Sequence, residues 1–142
     1  KMIKDLLITP LSIIDAQGGE VMHAMKNSSI GFSGYGEAYF SQIDMGAVKA
    51  WKRHKRMILN LIVPIGRIKF VLFDDREKNN KVFQEVTLSR DNYCRLTVPP
   101  MIWVGFQGMD SNQNILLNIA DIEHSPEEVD RREIDDFKFK WS

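Results

Sequence analysis

Val48-Lys49-Ala50-Trp51-Lys52-Arg53-His54-Lys55-Arg56, with the apolar run Met57–Val63 and the turn Pro64-Ile65-Gly66 directly behind it, reads as one strand feeding a second, buried one. Side chains on a strand alternate between faces, so Lys52 and His54 point one way and Trp51, Arg53 and Lys55 the other. Basic groups on the inner face of a sheet are costly unless something anionic or polar sits opposite. The segment is therefore either a ligand-binding strand or a solvated basic strand end. Beyond the turn, Gly66–Phe73 repeats the alternation, with Ile68, Phe70 and Leu72 on one face and Arg67, Lys69 and Val71 on the other.

Outward from this centre the pattern continues. Glu37–Ile43, Val82–Leu88, Arg95–Val98, Ile102–Phe106 and Asn114–Ala120 read as strands, separated by turns at Asp44-Met45-Gly46 and Pro99-Pro100 and by the hydrophilic loop Asp74–Lys81. Leu6–Ile14 is broken by Pro10, which suits an edge or arm strand. Gln17-Gly18-Gly19 makes a turn before a short strand at Glu20–Met25. Asn27–Gly36 is a loop, Ser89–Asn92 a single helical turn, and Glu127-Glu128-Val129-Asp130 a solvated acidic loop. About nine short strands with regular turn signals give an all-β class, a closed barrel or jelly roll. The expected layout is one domain over 1–142, with an arm and loop at 1–34, the barrel at 35–125 and an acidic C-terminal segment at 126–142. Such a barrel encloses a cavity lined by alternate residues of several strands.

Composition narrows the function. The 142 residues carry 19 Lys and Arg against 19 Asp and Glu, so no net field draws nucleic acid or a membrane surface. The single cysteine, Cys94, excludes an internal disulfide and a multi-cysteine metal site. The apolar runs are too short to cross a bilayer, and a cytoplasmic protein is expected. The chain opens on Lys1 rather than Met, as a sequence does when part of its N-terminus is missing.

The ordered series Gly36-Glu37-Ala38-Tyr39-Phe40-Ser41, Lys49–Lys55, Gly66–Arg76, Leu88-Ser89-Arg90-Asp91-Asn92-Tyr93, Val98–Phe106 and Leu116-Leu117-Asn118 resembles the dTDP-4-dehydrorhamnose 3,5-epimerases, in particular their shorter relatives. The resemblance covers roughly residues 35 to 136. It implies a cupin-type jelly-roll barrel and a homodimer that exchanges N-terminal strands, a role the Pro10-interrupted arm fits. It also implies a nucleotide-linked 4-keto sugar as ligand and no metal or organic cofactor, in polysaccharide or deoxysugar biosynthesis. The ketone at carbon 4 acidifies the hydrogens on carbons 3 and 5, so that a base forms an enolate and an acid reprotonates the opposite face. The family uses a histidine base, a carboxylate that orients it, and a tyrosine acid.

This sequence departs from that pattern. The family's histidine lies three residues after a basic substrate-binding residue; here that spacing runs from Lys49 to Lys52. Val104 stands at a second histidine position, and Leu117 near the tyrosine. The carboxylate is kept as Asp136 or its neighbour Asp135, with Phe137 where a proline is common. Lys52 has two readings. As a base it needs its pKa lowered from about 10.4 to about 7.5, close to 4 kcal/mol at 1.36 per unit; burial and neighbouring cations push that way, and a close Asp136 pushes back. As a cation it pairs with Asp136 or with the substrate diphosphate. His54 is either a surviving base or a histidine that hydrogen-bonds a neighbour. A metal cupin needs a histidine pair, a carboxylate and a later histidine; Lys52, Leu59 and Val104 spoil that set.

The candidate catalytic residues are thus Lys52, His54 and Asp136. The candidate substrate-binding residues are Lys49, Tyr39, Lys69, Trp103 and Asn118. For Tyr39 and Trp103 the alternative is core packing, and for Lys69 outward solvation. The resemblance leaves three functions open: an epimerase with a rearranged acid–base set, a catalytically inactive nucleotide-sugar-binding barrel, and a 3,4-ketoisomerase that uses His54.

Overall fold

The computed structural model describes residues 2–141, so Lys1 and Ser142 lie outside the described residues. Twelve strands run in the order β1 Leu7–Pro10, β2 Ile13–Ala16, β3 Gly19–Met22, β4 Glu37–Gln42, β5 Val48–His54, β6 Leu59–Ile65, β7 Arg67–Asp74, β8 Val82–Ser89, β9 Cys94–Val98, β10 Trp103–Gly108, β11 Ile115–Ala120 and β12 Val129–Arg131. Two five-stranded sheets, β1-β9-β6-β11-β4 and β12-β5-β10-β7-β8, face each other as a jelly roll, and β2-β3 is a separate hairpin. The strand expectations hold with ends shifted by one or two residues over most of the barrel. The Ser89–Asn92 segment is a turn, not a helix, closed by Asn92 N–H donating to the Ser89 carbonyl.

Alternation explains the interior. Ile68, Phe70 and Leu72 on β7, Val86 and Leu88 on β8, Leu96 and Val98 on β9, and Leu61 and Val63 on β6 form one buried core between the sheets. The β6–β7 corner needs glycine. Gly66 has φ +85°, and a Cβ there would lie 2.0 Å from the Gln113 carbonyl and 2.6 Å from Asn114 Oδ1. Asn114 is fully buried and accepts from the Arg67 and Asp110 N–H groups while donating to the Ile43 and Asp110 carbonyls.

The Asn27–Gly36 loop is fastened to the outside of the first sheet. Arg95, 2% exposed, donates to the carbonyls of Ala24 and Ile30. Asn60 donates to the Gly31 carbonyl and accepts from the Thr97 hydroxyl. These outward polar residues of β6 and β9 bond one another and the loop backbone, leaving only the Arg95 Nε of the set buried without a partner among the described residues.

The C-terminal segment departs furthest from the expected solvated acidic loop. Glu128 is 3% exposed, β12 pairs with β5, and Asp130 forms an ion pair with Arg53 at 2.8 Å. Phe137, Phe139 and Trp141 then cover Trp51, Val71, Phe73 and Trp103, making a second apolar cluster on the outer face of the second sheet. Trp51 lies 5.4 Å from Phe137, edge to face, and 5.5 Å from Trp141. The segment is held because Phe137, Phe139 and Trp141 alternate with Lys138 and Lys140, a period of two that turns three aromatics towards the sheet. Among the described residues no helix is long and apolar enough to cross a membrane.

Candidate functional site

A cleft of about 700 Å³ opens between the sheets where β4 and β11 face β5 and β12. One wall carries Tyr39 and Ser41 from β4 with Leu116 and Asn118 from β11. The other carries Lys49, Lys52 and His54 from β5, Val104 and Phe106 from β10, and Arg131 from β12. Glu133 and Asp136 stand on the rim.

The cationic wall follows from one irregularity. Strict alternation would send Lys49 outward with Trp51. Instead Val104 pairs with Lys52 and Phe106 with Lys49, so β5 spends one residue more than β10 between those pairs. This bulge returns Lys49 to the face of Lys52 and His54, and such an extra residue re-aims a side chain beside a cavity. Arg131 is directly opposite Lys52 in the β12–β5 ladder, and Val129 opposite His54. Directly opposed residues have Cβ atoms about 5 Å apart, so Lys49, Lys52 and Arg131 make one cationic patch.

Lys52 stays exposed on the cleft wall. Partial burial pushes its ammonium below the ordinary lysine range, and the charges of Arg131 and Lys49 push the same way. Among the described residues Lys52 makes no ion pair and no side-chain hydrogen bond. Asp136 does not pair with it, because its carboxylate accepts the Glu133 N–H at 2.8 Å in a reciprocal cap of the turn Ile134–Asp136. Burial also holds the His54 imidazole below its usual pKa; Glu128 pulls it up, while Lys52, His124 and Arg131 push it down. The net push favours the neutral imidazole, and no side-chain hydrogen bond occupies it among the described residues. On the facing wall, Asn118 Nδ2 donates to the Tyr39 hydroxyl at 3.0 Å, and Asn118 Oδ1 is buried without a partner.

Six of the eight residues singled out from sequence thus share the cleft: Lys52, His54, Asp136, Lys49, Tyr39 and Asn118. Trp103 and Lys69 do not reach it. Trp103 lies on the outer face, donating to Asp75 at 3.1 Å with the Arg53 guanidinium 4.5 Å above its ring. Lys69 is outward too, donating to the Trp141 carbonyl and standing over the Phe139 and Trp141 rings. Both corrections have one cause, the parity of the strand: Val104 and Phe70 face inward, so their neighbours Trp103 and Lys69 face out. Leu117 likewise pairs with outward Phe40, and the cleft positions of β11 are Leu116 and Asn118. Arg131 was not legible in the sequence, because its three-residue strand β12 is recognisable only through pairing with β5. Among the described residues no three His, Cys, Asp or Glu side chains converge as a metal site.

Glu128 fastens this wall. It accepts the backbone N–H groups of Arg56 and Met57, the latter at 2.7 Å, and the Arg56 guanidinium at 3.3 Å. Burial alone would raise its pKa, but these donors outweigh it and hold the carboxyl below 4.5. Glu128→Ala orphans two N–H groups and is expected to cost about 3 kcal/mol, at 1–3 per unpaired buried group. Because the folded pKa is the lower one, this stabilisation is complete above the unfolded value and is lost as pH falls through the folded one. In urea denaturation, the gap between wild type and Glu128→Ala should be full at neutral pH and narrow below 4.5.

No protein-family model matches the chain. A solved structure of a dTDP sugar isomerase from Desulfovibrio desulfuricans is 38% identical with a TM-score of 0.93, covering 98% of this chain and 92% of that one. The 3,5-epimerase RmlC of Legionella pneumophila, in complex with dTDP-4-keto-L-rhamnose, gives a TM-score of 0.82 at 16% identity, covering 96% of this chain and 77% of that one. The sugar 3,4-ketoisomerase QdtA of Thermoanaerobacterium thermosaccharolyticum, in complex with TDP, gives 0.77 at 18% identity, covering 92% and 90%. These last two show the fold alone. Among curated sequences, a probable low-salt glycan biosynthesis epimerase of Haloferax volcanii is 27% identical over 100 residues, 68% of this chain. The match spans 64% of that relative's length.

Proposed function

Because the chain belongs to the RmlC-like family of dTDP-sugar epimerases and isomerases, we propose that it moves a proton at a carbon next to the ketone of a dTDP-linked 4-keto sugar, as an epimerase. The observation that carries this is the bulge of β5, which gathers Lys49, Lys52 and His54 with Arg131 on one wall, opposite Tyr39 and Asn118. Lys49 and Arg131 supply the charge that a diphosphate requires. His54, neutral and unoccupied, is the base. The Tyr39 hydroxyl, on the facing wall, returns a proton to the other side of the sugar plane, taking the part that no tyrosine of β11 can play. Asp136, engaged with the Glu133 backbone, shapes the rim.

The same reading includes a homodimer. Phe40, Tyr35 and Ile30 are 69%, 67% and 65% exposed, large apolar side chains that a partner subunit would cover. On this reading the N-terminal arm is the exchanged element; in the single chain β1 is an edge strand paired with β9.

One further reading has an observation in its favour. Lys52 and Val104, the two positions where the resemblance puts histidines, both line the cleft, which favours ligand binding without turnover. Product analysis separates the readings. After incubation with dTDP-4-keto-6-deoxyglucose, the sugar is reduced with borodeuteride, so that deuterium marks the carbonyl carbon, and its stereochemistry is assigned. Inversion at carbon 3 or carbon 5 is expected. A 3-keto product would make the protein a ketoisomerase, and an unchanged sugar despite measurable dTDP binding would leave a binding protein.

A further inference from the structure

Lys52 is an amine on the wall of the cleft that the proposed substrate, a ketone, would enter, and the surroundings suit an amine that reacts better than one that pairs. Three features of the cleft bear on it. Its nearest charged neighbours are cations: Arg131 opposite it in the ladder and Lys49, returned to the same face by the bulge. Among the described residues no carboxylate pairs with it: Asp136 accepts the Glu133 N–H, the Glu133 side chain accepts the Asp136 N–H, and Glu128 accepts the Arg56 and Met57 N–H groups. It is two residues from His54 on one strand face, about 7 Å along the chain axis at 3.3–3.4 Å per residue, so both side chains line the same cleft. A lysine crowded by other cations keeps a neutral fraction that an isolated one lacks, and this is how such amines become carbonyl nucleophiles. The downward push on its pKa by burial, Arg131 and Lys49 agrees with that placement.

We propose that Lys52 forms a transient Schiff base with the carbon 4 ketone, so that proton transfer at the adjacent carbon proceeds through an iminium and an enamine instead of an enolate. The proposal rests on the 4-keto-sugar reading above. The neutral Nζ adds to carbon 4, a proton passes from nitrogen to oxygen, and the carbinolamine loses its hydroxyl as water. Counted from the ammonium, one ketone is consumed and one water released with no net change in protons. The iminium withdraws electrons more strongly than the ketone, so the neighbouring C–H loses its proton to His54 and leaves a neutral enamine. Reprotonation from the opposite face restores the iminium, and water returns the ketone and the free amine. A lysine in place of the family's histidine thus changes the electron sink while His54 keeps the role of base. It also gives a reason for the missing carboxylate beside Lys52, since a close anion would hold the amine protonated.

Reductive trapping tests this. The full chain is incubated with dTDP-4-keto-6-deoxyglucose and sodium cyanoborohydride, which reduces an iminium to a stable secondary amine, and digested for mass spectrometry. Hydrogen exchange into the sugar from deuterated water is followed in parallel without the reductant. The expected result is a reduced sugar adduct on Lys52, abolished in Lys52→Arg, which keeps the charge and cannot form an imine; circular dichroism checks that the variant folds. Exchange by wild type with no adduct would overturn the covalent step and leave the proton-transfer reading standing. Adduct on Lys49 in place of Lys52 would overturn the assignment. Neither exchange nor adduct, with dTDP shown to bind by calorimetry, would overturn both.

Discussion

Replacing His54 with glutamine is expected to lower turnover of a dTDP-linked 4-keto sugar by about 10²–10⁴-fold, the usual contribution of a positioned acid or base. Glutamine keeps polarity and approximate size but accepts no proton. His54 faces the cleft from the last position of β5, its pKa lowered by burial and by Lys52, His124 and Arg131 against the pull of Glu128. In the proposed binding mode phosphate contacts come from Lys49 and Arg131, so dTDP affinity measured by calorimetry should stay within a few-fold. The pH profile supplies an independent readout. The base works as neutral imidazole, so protonation of His54 adds an acid limb to kcat/KM below the ordinary value of 6.5, and the His54→Gln profile lacks that limb. Turnover within threefold of wild type would remove His54 from the chemistry.

Trp51→Ala carries the largest expected loss of stability, about 3–5 kcal/mol for truncating a large buried aromatic. Trp51 is 1% exposed and stands between the second sheet and the C-terminal segment. Its indole donates to the Ile134 carbonyl at 3.2 Å, and its backbone exchanges hydrogen bonds with Arg132. Loss of the ring opens a cavity under Phe137 and Trp141 and loosens the chain that carries Arg131, Glu133 and Asp136 to the cleft. Urea denaturation should show the stability loss, and calorimetry a weaker affinity for dTDP in the protein that remains folded. Trp51→Phe keeps part of the packing and loses the indole hydrogen bond, so its deficit should be clearly smaller. A cost below 1 kcal/mol for Trp51→Ala would mean that the segment is held by something other than this cluster.

How much of this was legible in the sequence depends on the physics of each element. The barrel strands were readable because alternation of apolar and polar residues over six to eight positions has one interpretation when turns bracket it. Val48–His54 and the inward pair Lys52 and His54 are the clearest case. Lys49 was assigned to the ligand through the resemblance alone, since strict alternation points it outward; the bulge that brings it in depends on pairing with β10, which no local pattern encodes. Trp103 and Lys69 show the reverse. Their parity with Val104 and Phe70 was available and places them outside, yet their chemistry suggested a ligand. The strand β12 is three residues long and set among charges, so its own sequence carries almost no strand signal. The alternating Phe137, Phe139 and Trp141 just beyond it were the visible sign that this segment packs.

The central claim is that the cleft labilises a hydrogen beside a sugar ketone. Proton NMR in deuterated water, with the protein and dTDP-4-keto-6-deoxyglucose, reads this directly at carbons 3 and 5. The account predicts protein-dependent loss of at least one of those signals, retained poorly by His54→Gln and untouched at carbons 1 and 2. Full retention of both signals over many hours, under conditions where the sugar nucleotide is shown to be bound, would contradict it.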